Sequence, residues 1–192
     1  EILASFIVNS EIRKKIKRIK KKSKNFTTKA HNDLAKKLNF NLTNDQENSL
    51  MDINKDLMSK SKMFRLLQGD VGSGKTIVSL ISALSVVSSG FQVALMAPTE
   101  ILARQHYTLA KKIFPKDVSI ELLSSKSPNI EKKKIIKNLE DNKIHMVFGT
   151  HAIFQKKIIF QNLGYIIIDE QHKFGVRQRK LLSDKGGDNC DV

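Results

Sequence analysis

Two hydrophobic periodicities divide the chain. Near the N-terminus, Ile12, Ile16 and Ile19 recur at spacings of four and three with Lys and Arg between them. That spacing predicts a basic helix, and residues 1–38 read as helical, with the polar stretch 23–33 fit for a linker. From about residue 42, short apolar runs alternate with helical patterns. Met63–Leu67, Val93–Met96, Val118–Leu123, His145–Phe148 and Tyr165–Ile168 read as strands. Between them, Ile77, Leu80, Ile81, Leu84 and Val87 mark one helix. Ile101, Leu102, Leu109 and Ile113 mark a second, and Ile130–Leu139 a third. Thr99 is a good N-cap for the second helix, with acidic Glu100 in its first turn. Tyr165–Ile168 is apolar throughout, as a strand covered on both faces should be. This alternation predicts an α/β domain with a mostly parallel sheet, right-handed crossovers and helices on both faces. The expected division is a basic helical segment over 1–38 and an α/β lobe over 39–192. In such sheets, ligands bind beyond the carboxyl ends of the strands.

Composition narrows the class. Of 192 residues, 40% are hydrophobic and 28% charged, the balance of a soluble globular chain. No apolar run approaches the ~18–20 residues that span a bilayer. The stretch Ile2–Val8 is short and lacks a preceding basic segment, so it is a poor signal peptide. Cys190 is the single cysteine, which excludes an intrachain disulfide and fits a reducing cytoplasm. The first residue is Glu rather than Met, which raises the expectation of a longer parent. Lys and Arg number 34 against 19 Asp and Glu, a net charge of +15. Such a balance favours a polyanionic partner, either nucleic acid or an anionic membrane surface. Arg13–Lys24 holds nine of the basic residues and no acid. That run fits a solvated helix face as well as a phosphate-contacting one.

Two motifs carry chemistry. Gly69-Asp70-Val71-Gly72-Ser73-Gly74-Lys75-Thr76 matches the phosphate-loop pattern G-x-x-x-x-G-K-[ST]. Glycines let the backbone turn its N–H groups around phosphate oxygens, and the following helix points its positive end at the same anion. Lys75 would reach the outer phosphates, and the Thr76 hydroxyl would ligate Mg²⁺. An apolar run precedes the loop and a helical pattern follows it, as that mechanism needs. The second motif is Asp169-Glu170, directly after Tyr165–Ile168. An Asp at the end of a buried strand can hold Mg²⁺ through water beside such a loop. The next carboxylate can orient or deprotonate an attacking water. Alone, an Asp-Glu pair is a common strand cap; its chemical meaning comes from the phosphate loop earlier in the chain.

Further polar segments follow other strands: Pro98-Thr99-Glu100 after the second, and Gly149-Thr150-His151 after the fourth. Thr99 and Thr150 each read equally well as caps. With the phosphate loop and Asp169, these segments lie at strand carboxyl ends, along one expected edge of the sheet.

At this point the residues resemble a known family. Asp169-Glu170-Gln171-His172 looks like the DEQH box of superfamily 2 helicases, and Ala97–His106 resembles their motif Ia. With Gly149–Gln155 and Lys173–Arg179, the segment from about 40 to 180 is similar to the RecG family of ATP-dependent DNA helicases. The resemblance implies a P-loop NTPase, RecA-like lobe. It implies that Lys75 and Thr76 hold phosphate and Mg²⁺, that Asp169 holds Mg²⁺ through water, and that Glu170 is the general base. Gln171 and His172 would couple nucleotide state to the DNA-facing side. Gln46 would read adenine, although a lone Gln is otherwise a surface residue. Pro98, Thr99, Gly149, Thr150 and His151 would lie along the DNA backbone. The implied partners are branched DNA, a second RecA-like lobe that supplies an arginine to the γ-phosphate, and a wedge domain; no membrane is implied. There are departures. Lys173 stands where the family usually has Arg, and Leu123-Ser124-Ser125 replaces a Thr-Gly-Ser, with both hydroxyls expected to remain available. The competing readings are a nucleotide-gated nucleic-acid-binding module without turnover, against which Glu170 argues, a related double-stranded DNA translocase, whose nearest example lacks the Gln-His ending of the box, and a P-loop small-molecule kinase, against which the DEQH box and the charge argue.

Overall fold

The computed structural model describes residues 20–25, 34, 38, 40–124, 126–155, 157–170 and 187–192. Helix α1, Asn44–Met58, opens on a capping box: the Thr43 hydroxyl accepts from Gln46 N while the Gln46 side chain accepts from Thr43 N. Asp45 and Glu47 sit in its first turn and Lys55 in its last, matching the helix dipole. Leu50, Ile53 and Leu57, spaced by three and four, are buried. The sequence reading passed over this helix, although Thr43-x-x-Gln46 before an apolar stripe is a start signal.

Helix α2, Lys75–Ser88, strand β1, Gln92–Met96, and helix α3, Glu100–Ile113, follow in order. Then come β2, Ile120–Leu123; α4, Asn129–Glu140; β3, Met146–Gly149; a 3₁₀ turn, His151–Phe154; and β4, Leu163–Ile168. The strands run parallel in the order β2-β3-β1-β4. Alternate residues of β1 enter different cores. Val93 and Leu95 pack with residues of α1, α2 and α3, including Leu50, Ile81 and Ile113. Ala94 and Met96 pack with Leu139 of α4, Ile153 and Ile166. Helices therefore cover both faces, and β1 is buried along its whole length. Full burial of a leucine such as Leu80 stabilises by about 1.5–3 kcal/mol. Among the described residues, no helix is long and apolar enough to cross a membrane.

Three expectations need correction. The run Met63–Leu67 is not a ladder strand. Its partner is the short segment Asp191–Val192, which lies between it and β4. Arg65 N donates to Val192 O and Val192 N to Met63 O, while Ile166 N donates to Asp191 O on the other side. Two residues are too few to register a strand, but they hold the chain parallel to β4 as it enters the phosphate loop. The second correction is on α3 and α4. Ile101 and Ile130 are exposed, because the buried face of α3 is Ala103, His106, Ala110 and Ile113 and that of α4 is Ile135 and Leu139. The third lies in the N-terminal segment. Leu34 is helical, but residues 20–25 are not. Lys20 bridges to Ser61, and Lys21 N donates to Lys60 O. Lys21 and Lys24 are buried on Asp191, whose anion attracts them more than a continued helix would. Ile12, Ile16, Ile19 and the start of the basic run lie outside the described residues.

Candidate nucleotide site

The parallel register lines up the strand ends. Leu123 pairs with Gly149, Gly149 with Met96, and Met96 with Ile168. The next residues, Ser124, Thr150, Ala97 and Asp169, therefore form a row across one edge of the sheet. The ladder reaches into that row: Ala97 N donates to Gly149 O at 2.9 Å and Asp169 N to Met96 O at 2.8 Å.

The phosphate loop closes the row beyond β4. Gly72 and Gly74 have φ of 81° and 82°, the left-handed region that favours glycine. A Cβ on Gly74 would lie 2.4 Å from Gln46 Nε2, so a side chain there would also displace α1. Gly74 is the N-cap of α2 and offers no side chain to its N–H groups, and the first turn holds no acid. No acid within the first turn of α2 therefore compensates its positive end. Lys75 turns back into the loop, donating to Gly69 O at 2.8 Å and Asp70 O at 2.6 Å. Thr76 is half-buried behind it, while Gly69, Asp70, Val71 and Ser73 are exposed. An ammonium, a helix N-terminus and a ring of loop amides make a cradle for a polyphosphate.

Gln46 sits against this loop. Its Nε2 donates to Ser73 O at 2.9 Å and its Oε1 accepts from Thr43 N at 3.0 Å. The structure thus gives Gln46 a tying role between α1 and the loop that sequence did not reveal.

Asp169 is half-buried at the end of β4, and Glu170 beyond it is exposed with φ 53°. A non-glycine residue in that region carries strain of order 1–3 kcal/mol. The Asp169 carboxyl is held below the ordinary carboxylate range, first by a hydrogen bond from His106 and also by the Glu170 backbone and the charge of Lys75, against the opposing effect of burial. The Lys75 effect marks the two motifs as electrostatic neighbours. His106 Nε2 lies 2.8 Å from Asp169 Oδ2. The sequence reading gave His106 no role. Its signal was a polar residue in the buried stripe between Ala103 and Ala110.

The other strand-end residues divide. Thr99 caps α3, its hydroxyl accepting from Leu102 N at 3.3 Å. Thr150 precedes the 3₁₀ turn and makes no side-chain cap bond. Pro98 is half-buried and His151 exposed. Gly149 is required by close approach, since a Cβ there would lie 2.8 Å from Leu123 O. The Ser124 hydroxyl is not available as expected: it donates to Glu100 Oε1 at 2.9 Å and accepts from Lys126 N. Ser125, Gln171, His172 and Lys173 lie outside the described residues.

Among the described residues, no cluster of three His, Cys, Asp or Glu could hold a metal alone. Mg²⁺ needs no such cage, because it binds through one or two protein oxygens with water and substrate phosphate. Thr76 and Asp169 beside a phosphate cradle fit that donor set.

Comparison with known proteins agrees with this geometry. The DEAD/DEAH box helicase family profile matches residues 43–185. The ATP-dependent DNA helicase RecG of Aquifex aeolicus is 48% identical over 176 residues, 91% of this chain and 22% of that protein. RecG of Borreliella burgdorferi is 48% identical over 150 residues, covering 78% of this chain and 22% of its own length. A solved RecG bound to a three-way DNA junction superposes with a TM-score of 0.83 at 40% identity, covering 94% of this chain and 24% of that one. A DEAD box protein from Methanococcus jannaschii shares the fold, with a TM-score of 0.68 at 18% identity over 88% of this chain and 47% of that one. This chain thus spans roughly a fifth of the length of the curated RecG relatives, and over most of its own length, from the capping box of α1 through the phosphate loop and the acidic pair, it belongs to the DEAD/DEAH box helicase family.

Proposed function

We propose that this chain is the ATP-binding, RecA-like lobe of a RecG-type DNA motor that remodels branched DNA such as stalled forks and Holliday junctions. The carrying observation is the strand-end row: Asp169, Ala97–Pro98 and Gly149–Thr150 follow parallel strands in register, and the chain entering the phosphate loop runs beside β4 through Asp191–Val192. In this reading, residues 39–192 are the lobe and 1–38 a basic segment leading into it. A second RecA-like lobe and a wedge domain belong to the same polypeptide.

The roles follow from position. The loop amides of Gly69–Gly74 and the N-terminus of α2 bind the phosphates. Lys75 exchanges its two loop carbonyls for phosphate oxygens, a gain because those oxygens are charged. Thr76 and, through water, Asp169 would hold Mg²⁺. When bound, Mg²⁺ neutralises charge on the β- and γ-phosphates. Glu170 orients the attacking water and accepts its proton. Gln46 reads adenine by giving up one of its two present bonds, and so reports nucleotide to α1 and the loop together. Gln171 and His172 carry nucleotide state toward the DNA side. Pro98, Thr99, Gly149, Thr150 and His151 contact the DNA backbone, with Thr150 the hydroxyl not spent on capping. An arginine from the second lobe completes the charge stabilisation, an effect of ~10³–10⁵ in rate. The lobe alone is therefore expected to bind MgATP and to hydrolyse it poorly.

The test is ATP turnover by the full-length protein with no DNA, with linear duplex and with a fork or four-way junction. Strong stimulation by branched DNA, abolished by Lys75→Ala and by Glu170→Gln, is the expected result. Equal rates with and without every nucleic acid would leave a P-loop ATPase whose basic surface serves another purpose.

A further inference from the structure

His106 stands apart from the residues that the nucleotide reading uses. It lies seven residues after the N-cap Thr99, on the buried face of α3, and is only 9% exposed. Its neighbours in that stripe, Ala103 and Ala110, are small and buried, so the imidazole fills space that the helix would otherwise give to an apolar side chain. A buried polar ring is costly without a partner. Here the partner is Asp169 Oδ2, 2.8 Å from Nε2.

The chemistry of the pair sets its direction. A carboxylate oxygen has no hydrogen to give, so across this 2.8 Å contact His106 donates through Nε2 and Asp169 Oδ2 accepts. That bond fixes the imidazole with its proton on Nε2. It also fixes Asp169, whose carboxylate has two free torsions and whose backbone is already pinned by the bond from Asp169 N to Met96 O. With Oδ2 committed to the imidazole, the remaining lone pairs of the carboxylate take one defined set of directions.

We propose that His106 is a positioning residue: it holds the Asp169 carboxylate in the orientation that receives the hydrated metal of a metal–nucleotide complex. The inference rests on the nucleotide reading above. Residues that orient a metal-binding carboxylate typically change metal affinity or activity by about 10–100-fold when lost. A purely space-filling His106 would instead alter stability and leave metal binding untouched.

The experiment measures Mn²⁺ binding by electron paramagnetic resonance to the full-length protein with a non-hydrolysable ATP analogue. Nucleotide binding without metal and thermal melting are followed in parallel. His106→Leu is expected to weaken Mn²⁺ binding by roughly 10–100-fold while metal-free nucleotide binding stays near wild type. His106→Gln, whose amide reaches the place of Nε2, is expected to restore most of it, and the shorter His106→Asn is not. Wild-type Mn²⁺ binding by His106→Leu would overturn the proposal. If the Leu variant does not fold, equal Mn²⁺ binding by the Gln and Asn variants would overturn it instead. If wild-type protein binds no Mn²⁺ with nucleotide and Lys75→Ala changes nothing, the nucleotide reading fails and this proposal with it. A normal wild type with an insensitive His106→Leu sinks this proposal alone.

Discussion

Replacing Asp191 with Asn should cost this chain a large part of its stability. The Asp191 side chain is fully buried, and so are those of Lys21 and Lys24. Oδ2 accepts from Lys21 Nζ at 2.5 Å and Lys24 Nζ at 2.6 Å, and Oδ1 accepts from Met63 N at 2.7 Å. Asn keeps the shape and can still accept from Met63 N, so the perturbation is the lost charge. Among the described residues, the hydrogen-bond and ring partners left to the two buried ammonium groups would be neutral: Asp56 O and Leu57 O for Lys21, and Asn189 O and the face of Phe91 for Lys24. Breaking a buried ion pair by removing one partner costs about 3–5 kcal/mol. Total stability is about 5–15 kcal/mol for a typical domain. At ~2 kcal/mol per molar urea, the unfolding midpoint at pH 7 should fall by about 2 M.

A second prediction follows from the sign of the titration. Burial is the largest influence on Lys21 and lowers its pKa below the ordinary lysine value, outweighing the attraction of Asp191. Around and below the ordinary value, the unfolded chain binds more protons at this site than the folded one, so raising the pH toward that value favours folding. Without the Asp191 charge the folded pKa of Lys21 falls further. The deficit of Asp191→Asn should therefore narrow between pH 7 and pH 10. Circular dichroism of urea titrations at both pH values reads this out. The triple change Lys21→Met, Lys24→Met, Asp191→Leu removes every charge, and should lie much closer to wild type than Asp191→Asn alone. A loss in Asp191→Asn below ~1 kcal/mol, the lower end for a buried unpaired group, or a deficit independent of pH, would refute the reasoning.

Other outcomes can be checked more simply. Gly74→Ala places a Cβ 2.4 Å from Gln46 Nε2 at a φ of 82°; fluorescent ATP titration should show markedly weakened nucleotide binding, with about 1–3 kcal/mol lost in stability. Ile81→Ala, at a fully buried position under β1 and β4, should cost about 2–5 kcal/mol in chemical denaturation. Burial pushes the Tyr165 phenol up to about 12 from 10.0, against the smaller lowering by Ser82. Its contribution is complete below pH 10, where folded and unfolded phenols are both neutral, and is lost as pH rises toward 12. Tyr165→Phe should remove up to ~3 kcal/mol of that alkaline loss, seen as a flatter stability profile; Cys190, pushed up to about 12 from 9.0 by burial, supplies a separate part. DNA binding by the full-length protein should weaken linearly on a log–log plot with added salt, the signature of counterion release. A salt-independent affinity would contradict the role given to the +15 charge.

The sequence by itself determined the parallel α/β alternation, the place of the phosphate loop before α2 and of the acidic pair after β4. Those features are local: periodicity of two or 3.6 and a glycine pattern act within a few residues, so they can be read along the chain. It also carried a start signal for α1, in Thr43 and Gln46, that the reading passed over. Other facts needed the fold. Whether Met63–Leu67 pairs as a strand depends on Asp191 and Val192, more than a hundred residues away. The helical pattern of residues 1–38 gives way at Lys21 and Lys24 because a distant carboxylate waits for them inside the protein. Ile101 looked like core from its spacing, yet the buried stripe of α3 is rotated toward His106, which finds Asp169 just beyond the end of β4. Thr99 and Thr150 were equivalent as residues; only the path of the chain after each made one a cap and left the other without a cap bond. Except for the local cap at Thr99, the deciding energy is a desolvated charge or hydrogen bond between positions far apart in sequence. Such a term has no one-dimensional trace, because it exists only once packing has excluded water and brought the partners within reach.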